Sequence, residues 1–520
     1  MANDDKGPDL AAGIETSRLA EGVPLAGHVD EHEIVLVRRG DAVHALGARC
    51  PHRGAALADG IVAHGTIRCP WHHASFRLED GAARAPSLDA LPCWDVVHDG
   101  ATVRVGERRR FDDTPVAGPH GATGDGASGD GDPKRAAIVI VGAGAAGEAA
   151  AETLRALGHT GPLTLLSAEA APPIDRTNLS KGYLSGDMDE SGLALRDPAF
   201  HAERDIDLKL GGTVVAIDRD AREVRLEGGE KIAYDRLLLA TGANVRRLPV
   251  DGADDARVHY LRTLEDARGI VAAAKEASRA VVVGSSFIGL EAAAALRARG
   301  IEVTVVAPDE IPLAGVVGEA IGRRVRELHE AEGVVFRLES EVDAIVADGV
   351  RLGGGETLAA DLIVVGIGVT PDVALAREAG LETDDGVVVD ARLATSDPAI
   401  LAAGDIASYP DPEGRRLRIE HWQVAQRQGQ CAARNLMGAG ERFADVPFFW
   451  SKHYGANIRY AGHAGNIARV ELDGDPSGND VAATIHAEDG EARAMASIGR
   501  DKANLAFAAT LEERAATTAD

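Results

Sequence analysis

At 520 residues the chain holds about three or four domains of the roughly 100 to 200 residues that a buried core needs, which excludes a single small module. Its 82 Asp and Glu against 55 Lys and Arg give a formal charge of -27, repelling nucleic acid and anionic membrane surfaces alike. A hydrophobic share of 45% with 26% charged residues is that of folded protein, and 60 glycines exceed ordinary usage and point to tight turns or cofactor loops.

The opening residues MANDDKGPDL are polar and acidic where a secretory signal is basic and then apolar, and later apolar runs stop well short of about 18 residues. A cytoplasmic protein without a membrane span is expected. The four cysteines are too few for a disulfide framework. Cys50 and Cys69 are spaced for a metal or redox site, whereas Cys93 and Cys431 read as packing residues. From 33 to 105, short alternating segments such as 34–37 and 101–105 broken by glycine turns predict a small all-β domain, bounded at 1–108.

Within that domain Cys50-Pro51-His52 and, sixteen residues on, Cys69-Pro70-Trp71-His72 place one thiolate and one imidazole on each of two loops. Zinc accepts the same four ligands. A Cys and a His two apart crowd one tetrahedral ion but suit ligands that reach different irons, as in a Rieske centre, where two Cys hold one iron and two His the other. The C-x-H, spacer, C-x-x-H pattern resembles the Rieske family in full, which implies a 2Fe-2S cluster on Cys50, His52, Cys69 and His72. Neither loop carries the extra cysteine of high-potential members, and Phe76 stands where those often place a tyrosine, so a potential toward the low end of the range is expected. His73 is expected to be exposed or to support its neighbour, with no ligand role.

Residues 109–135, rich in Gly, Asp and Pro, read as a flexible tether. Beyond them strand, glycine turn, alanine-rich helix and strand alternate as in a parallel α/β sheet, and the unit occurs twice. The first runs from 137–141 through Gly142, Gly144 and Gly147. Glu169, about 20 residues on and past the strand Leu163–Leu166, is placed for a ribose diol. The second runs from 280–283 through Gly284, Ser286 and Gly289, with serine in place of the middle glycine. After its next strand, Glu302–Val306, Ala307 takes the place of the ribose acid, with Asp309 and Glu310 just beyond and no arginine beside them, favouring NADH over NADPH. Residues 169–205 lack the C-x4-C pair of disulfide reductases, which excludes thiol exchange there. From 441 on, a Phe448-Phe449-Trp450 cluster and alternating segments near 456–460, 468–472 and Ala492–Ile498 predict a small α+β end domain, its tail after about Asn504 frayed, helical or disordered.

Two nucleotide loops in one chain imply two dinucleotides face to face, one held and one exchanging. Together with Asp175-Arg176, Leu179-Ser180-Lys181, Leu239-Ala240-Thr241-Gly242, Ala403-Gly404-Asp405, Glu420-His421-Trp422-Gln423 and Val446-Pro447-Phe448-Phe449-Trp450-Ser451, they make the chain resemble FAD-dependent ferredoxin reductases of oxygenase systems. It resembles still more closely the apoptosis-inducing-factor-like proteins with an N-terminal Rieske domain. The resemblance implies a multidomain, glutathione-reductase-like FAD/NAD fold of two Rossmann-like α/β domains. The FAD domain would comprise 136–250 and 374–440, the NAD(P)H domain 251–373 and the α+β C-terminal domain 441–520.

It further implies that Gly142, Gly144, Gly147 and Glu169 bind the adenosine half of FAD and that Arg176 and Lys181 lie along its pyrophosphate and isoalloxazine. Thr241, Gly242 and Gly404 would complete that site, and Asp405 would hold a ribitol hydroxyl. Gly284, Ser286 and Gly289 would take NADH, and Lys181 with Glu291 would form the catalytic pair near flavin N5. Phe287 and His421 would face the nicotinamide while Trp422 and Trp450 pack near the flavin, unless these aromatics are plain core. The expected activity is hydride transfer from NADH to FAD, then single electrons through an exposed His52 and His72 edge to an external acceptor such as an oxygenase. The tether would let the Rieske domain visit the flavin and depart without a tight interface. Two rival readings are a redox-responsive NADH-binding flavoprotein of the apoptosis-inducing-factor type with little turnover, and electron flow from the Rieske domain toward NAD. Oligomeric state is left open, a homodimer being one candidate.

Overall fold

A computed structural model describes residues 7–109 and 132–518, so most of the expected tether lies outside the described residues. The N-terminal part is built on a six-stranded antiparallel sheet in the order Ile14–Glu15, Thr102–Arg108, Cys93–Asp99, Ala42–Gly47, His32–Arg39, Leu25–Val29. Alternation along His32–Arg39 sends Val35 and Val37 into the core beneath Cys50 and Cys69, and Ile34 and Leu36 into a second core with Trp94 and Val103. Both faces are covered, which is why this strand reads as an unbroken apolar run. A small sheet of Ile61–Ala63, Thr66–Arg68, Ser75–Arg77 and Ala83–Arg84 flanks the second ligand loop.

Two five-stranded parallel sheets follow. The first is ordered Asp207–Lys209, Leu163–Leu166, Ile138–Val141, Arg236–Leu239, Ile400–Ala402, and the second Val258–Tyr260, Leu362–Val365, Arg279–Val283, Glu302–Val306, Val335–Arg337. The first sheet takes its last strand from Ile400–Ala402, after the whole second sheet has been built. Every residue of Ile138–Val141, Leu163–Leu166 and Leu362–Val365 is buried, as strands sandwiched between helices require.

The C-terminal part is an antiparallel sheet ordered Phe448–His453, Ala456–Gly462, Ala492–Ile498, Asp480–His486, Arg469–Asp475. Of the three readings of the tail the helical one holds through the described residues, for the helix Asp501–Thr518 buries Leu505, Ala508 and Ala509. Buried Asn504 donates to the carbonyls of Arg459 and Met495 at 3.3 and 3.0 Å, and Glu512 pairs with Arg68 of the N-terminal domain at 2.6 Å.

That pairing belongs to an extensive interface, and it corrects the expectation of a domain that docks only in passing. Buried Arg427 donates to the carbonyls of His73 and Ala85 at 2.8 and 3.0 Å, and the Ala85 amide donates to Gln430 at 3.1 Å. Arg84 pairs with Asp445, Arg53 with Asp175 at 2.5 Å, and Arg196 with Asp89 at 2.9 Å. Charges held out of water need fixed partners, so the buried members of this surface, Arg427, Asp445 and Arg68, favour the docked geometry, while Arg53 and Asp89 pair nearer solvent. This surface holds the N-terminal domain against the flavoprotein body.

Candidate cofactor and electron-transfer site

The two ligand loops fold alike. Cys50 and Cys69 are buried, and their amides donate to the carbonyls of Ala55 and Ala74 at 2.9 and 2.8 Å. Backbone N–H groups of His52 and Arg53 point at the Cys50 sulfur, and those of Trp71 and His72 at the Cys69 sulfur. The two thiols share a hydrogen bond that lowers Cys69 and raises Cys50, so both ionise together only where a cation compensates. The imidazoles of His52 and His72 stand 4.9 Å apart, edge to face. Burial pushes His52 down to about 4 and His72 well below the usual range, keeping both neutral as metal ligands require.

Their Nδ1 atoms are buried and meet no protein partner, while the thiols form a pair beside the imidazole pair. Among the described residues no three His, Cys, Asp or Glu side chains converge as they would on a single ion. This donor set fits a two-iron cluster with one thiolate pair and one imidazole pair. The histidine edge is half-buried and less open than expected. Trp450 lies across it, its ring 4.3 Å from that of His72 and 6.3 Å from that of His52. Nor is His73 exposed, because its buried ring stacks on Phe448 at 3.7 Å. Phe76, Cys93 and Cys431 are buried, and burial raises the Cys93 thiol to about 11 and that of Cys431 higher still, as expected of packing residues.

In the first nucleotide loop Gly142 has φ 108°, and a Cβ there would lie 2.2 Å from the Ala240 carbonyl oxygen. A Cβ on Gly144 would meet nothing, so the loop is open where a pyrophosphate has to approach the start of the helix Ala145–Ala156. Gly147 lies in that helix and Gly404 packs beside it, a Cβ there falling 3.1 Å from Ala146 Cβ. Glu169 is paired with Arg176, whose guanidinium also donates to the Arg262 carbonyl at 3.2 Å. Arg262 in turn pairs with Asp405 at 2.9 Å and lies near Gly242, while the Thr241 hydroxyl donates to the Asp372 carbonyl at 3.0 Å. The carboxylate expected to hold a ribitol hydroxyl thus has an arginine partner that no sequence motif marked.

In the second loop Ser286 caps the helix Phe287–Ala298. Its hydroxyl accepts from the Gly289 amide at 3.2 Å and donates to the Gly366 carbonyl at 2.8 Å, a use for serine that a glycine could not meet. Gly284 makes the same close approach, a Cβ there lying 2.5 Å from the Gly366 oxygen. The Ser285 hydroxyl donates to Asp309 at 3.1 Å, which brings that acid to the loop although Ala307 fills the usual position. Phe287 begins the helix and meets Phe449 at 4.7 Å, and Phe449 meets His421 at 4.7 Å and stacks on Tyr460 at 5.0 Å. Trp422 starts the helix Trp422–Leu436 and packs against the core of the first parallel sheet.

Between the loops the Lys181 ammonium donates to Glu291 at 2.8 Å and to the Thr177 carbonyl at 2.9 Å. Glu291 is buried in the helix Phe287–Ala298 and accepts from Ser180 and Ser451 as well, each at 2.5 Å. The structure brings together, across 110 residues of chain, the pair that the motifs only suggested.

A doubly wound body with two glycine-loop nucleotide sites and a cysteine-histidine cluster site held against it defines a class, the redox flavoproteins with a built-in iron–sulfur domain. Residues 136–429 match the pyridine nucleotide-disulphide oxidoreductase model and residues 11–95 the Rieske 2Fe-2S domain model. The chain belongs to the pyridine nucleotide-disulphide oxidoreductase family and carries a Rieske domain, with FAD, NAD(H) and a 2Fe-2S cluster as its cofactors. It is 40% identical over 376 residues to the anthranilate 1,2-dioxygenase system ferredoxin–NAD(+) reductase component of Burkholderia cepacia, covering 70% of this chain and 91% of that one. It is 33% identical over 465 residues to apoptosis-inducing factor 3 of Mus musculus, covering 85% and 74%. The covalent putidaredoxin reductase–putidaredoxin complex superposes with a TM-score of 0.70 at 32% identity, covering 74% of this chain and 96% of that one. The disulphide in the family's description has no counterpart at the flavin site, since none of the four cysteines falls between 94 and 430. Among the described residues no helix is long and apolar enough to cross a membrane.

Proposed function

We propose that the protein is an NADH-dependent ferredoxin-reductase-type enzyme whose first one-electron acceptor is its own Rieske domain, with a ferredoxin-type or oxygenase-system protein downstream. The observation that carries this reading is Trp450, which lies across the two unpartnered cluster-site histidines on the strand that also supplies Ser451 to the Lys181–Glu291 pair. One relative is named as a ferredoxin–NAD(+) reductase component and another is a reductase captured with its putidaredoxin, which supports a small redox protein as the acceptor class. Bound FAD takes two electrons as a hydride and gives them up singly, and a 2Fe-2S cluster accepts one at a time.

The chain's residues divide that task. Gly142, Gly144 and Gly147 admit a pyrophosphate to a helix N-terminus, with Glu169, Arg176, Thr241, Gly242, Gly404 and Asp405 around it. Lys181, fixed by Glu291 and Thr177, sets a positive charge where the reacting ring would lie. Gly284, Ser286 and Gly289 form the NADH loop, with Asp309 repelling a 2'-phosphate. Phe287, Phe449 and His421 would wall the nicotinamide, and burial holds His421 near 3, a neutral neighbour for a cationic product. The boundaries 1–108, 136–250 with 374–440, 251–373 and 441–520 are the proposed domains, and a cytoplasmic location is proposed. Anaerobic titration with NADH, followed in the visible and by electron paramagnetic resonance, tests the reading. Flavin bleaching with appearance of a reduced Rieske signal is expected. A signal absent after full bleaching contradicts internal transfer, and a stable NADH complex with no turnover toward ferricyanide favours the low-turnover alternative.

A further inference from the structure

Behind the Lys181–Glu291 pair runs a line of buried polar groups that the proposed electron path does not use. Ser451 Oγ lies 2.5 Å from Glu291 Oε1, His453 Nε2 lies 2.9 Å from Ser451 Oγ, and His329 Nε2 lies 3.2 Å from His453 Nδ1. Both histidines are 0% exposed, and Ser451 and Glu291 are buried as well. The three elements that contribute are the helix Phe287–Ala298, the strand Phe448–His453 and the helix Glu319–Ala331.

The hydrogen count fixes the direction of this line. A serine hydroxyl has one proton, and here it goes to the carboxylate, so Ser451 Oγ must accept from His453 Nε2–H. His453 is neutral, because burial and then the Lys181 charge push it down to about 3, so its Nδ1 is bare and accepts from His329 Nε2–H. His329, held near 3 by burial and by His453, has a bare Nδ1 in its turn, and that atom is buried with no protein partner. Every donor therefore points toward Glu291, and the line ends in an open acceptor. Past it the half-buried Tyr454 ring stands 5.0 Å from that of His329, its hydroxyl also unpartnered. Burial and then the charge of Glu332 raise that hydroxyl to about 12, with Arg297 opposing.

We propose that Glu291, Ser451, His453 and His329 form a proton relay that delivers one proton to Glu291 as a hydride arrives beside Lys181. This rests on the reading of the Lys181–Glu291 pair as the flavin-side pair. A hydride adds one negative charge next to a buried carboxylate, and two such charges together cost more than protonating one of them. A proton taken by His329 Nδ1 releases the Nε2 proton to His453 Nδ1. His453 then passes its Nε2 proton to Ser451, and Ser451 passes its own to Glu291. The sum for the reductive step is NADH + H+ plus the oxidised site giving NAD+ plus the site carrying the hydride and one added proton. As two one-electron acceptors take the electrons, the hydride's proton and the added one leave, the latter by the same line reversed. The net reaction is NADH plus two oxidised acceptors giving NAD+, H+ and two reduced acceptors.

The test uses the full-length holoenzyme mixed with NADH in weak buffer with a pH-indicating dye, under anaerobic stopped flow. The wild type is expected to take up one proton per NADH in the phase in which the flavin bleaches. In His329→Gln the amide still donates to His453 Nδ1 but cannot relay, so uptake should lag bleaching at least tenfold. Uptake in step with bleaching in that variant, or none in the wild type, overturns the relay. Nitrogen-15 histidine spectra of the oxidised wild type give a second readout. Neutral rings protonated on Nε2 at both positions are expected, and a proton on Nδ1 of His453 overturns the assigned direction. If NADH fails to bleach the flavin the functional reading falls, whereas bleaching without uptake sinks the relay alone.

Discussion

The ligand loops at 50–55 and 69–74 share one backbone and occupy two different settings. In each, the fifth residue's amide returns to the cysteine carbonyl, Gly54 to Cys50 at 2.8 Å and His73 to Cys69 at 3.2 Å, and in each that residue is left-handed, φ 77° and φ 57°. A side chain at Gly54 would meet nothing, and Gly54 and Pro51 face solvent. His73 carries the strain of its conformation, about 1 kcal/mol, because its ring stacks on Phe448 and its carbonyl accepts from Arg427. The same fold thus gives the cluster site a docked side and an open side. In the proposed path electrons enter where His72 meets Trp450 and leave past exposed Pro51 and Trp71, whereas Arg53 is tied to Asp175 of the flavoprotein body.

Cys69→Ser is expected to abolish the cluster and with it every electron that passes Trp450. Iron content and the reduced-state resonance should fall to background while NADH still bleaches the flavin. Arg427→Ala strips two buried carbonyls of their donor and Asp445 of a neighbouring charge, and should cost about 3 kcal/mol in chemical denaturation. An equal loss in a protein lacking residues 1–108 would place the effect outside the interface.

Acid should act on the flavoprotein body. His329, His421 and His453 have folded values near 3 against an ordinary 6.5, so the unfolded chain binds their protons first. Their contribution is full above pH 6.5 and is lost as the pH falls from there toward 3, at about 1.4 kcal/mol per unit for each. Denaturation midpoints at pH 7.5 and 5.5 measure this, and equal stability at both would contradict neutral burial. The smallest effect is expected on the open side, where Gly54→Ala should cost about 1 kcal/mol from backbone strain alone and leave the cluster in place.

Much of this was legible in the chain because the signals are short. C-x-H and C-x-x-H, the two glycine loops and the strands Leu163–Leu166 and Glu302–Val306 each lie within a few residues. What escaped is long-range. The Arg427 contact to His73 spans 354 positions and that of Arg68 to Glu512 spans 444, and an arginine on a helix or a strand carries no mark of what it will meet. For the same reason a glycine-rich segment suggested a roving domain, while the contacts that hold it lay in separate, unremarkable residues. Arg262 beside Asp405 and Ser451 beside Glu291 were likewise invisible, since only the fold brings their strands and helices together. The terminal helix stood as only one of three readings of the tail because its alanine-rich stretch has no strong apolar stripe, and its order comes from the sheet and the N-terminal domain it touches.

In the proposed function electrons cross from the flavin side to the docked cluster within one molecule. Rapid mixing of the oxidised holoenzyme with NADH, recording flavin and cluster absorbance at several protein and salt concentrations, tests it most directly. Cluster reduction is expected to follow flavin bleaching at a rate independent of both concentrations. A rate that rises in proportion to protein concentration, or a cluster that stays oxidised beside a bleached flavin, would contradict it.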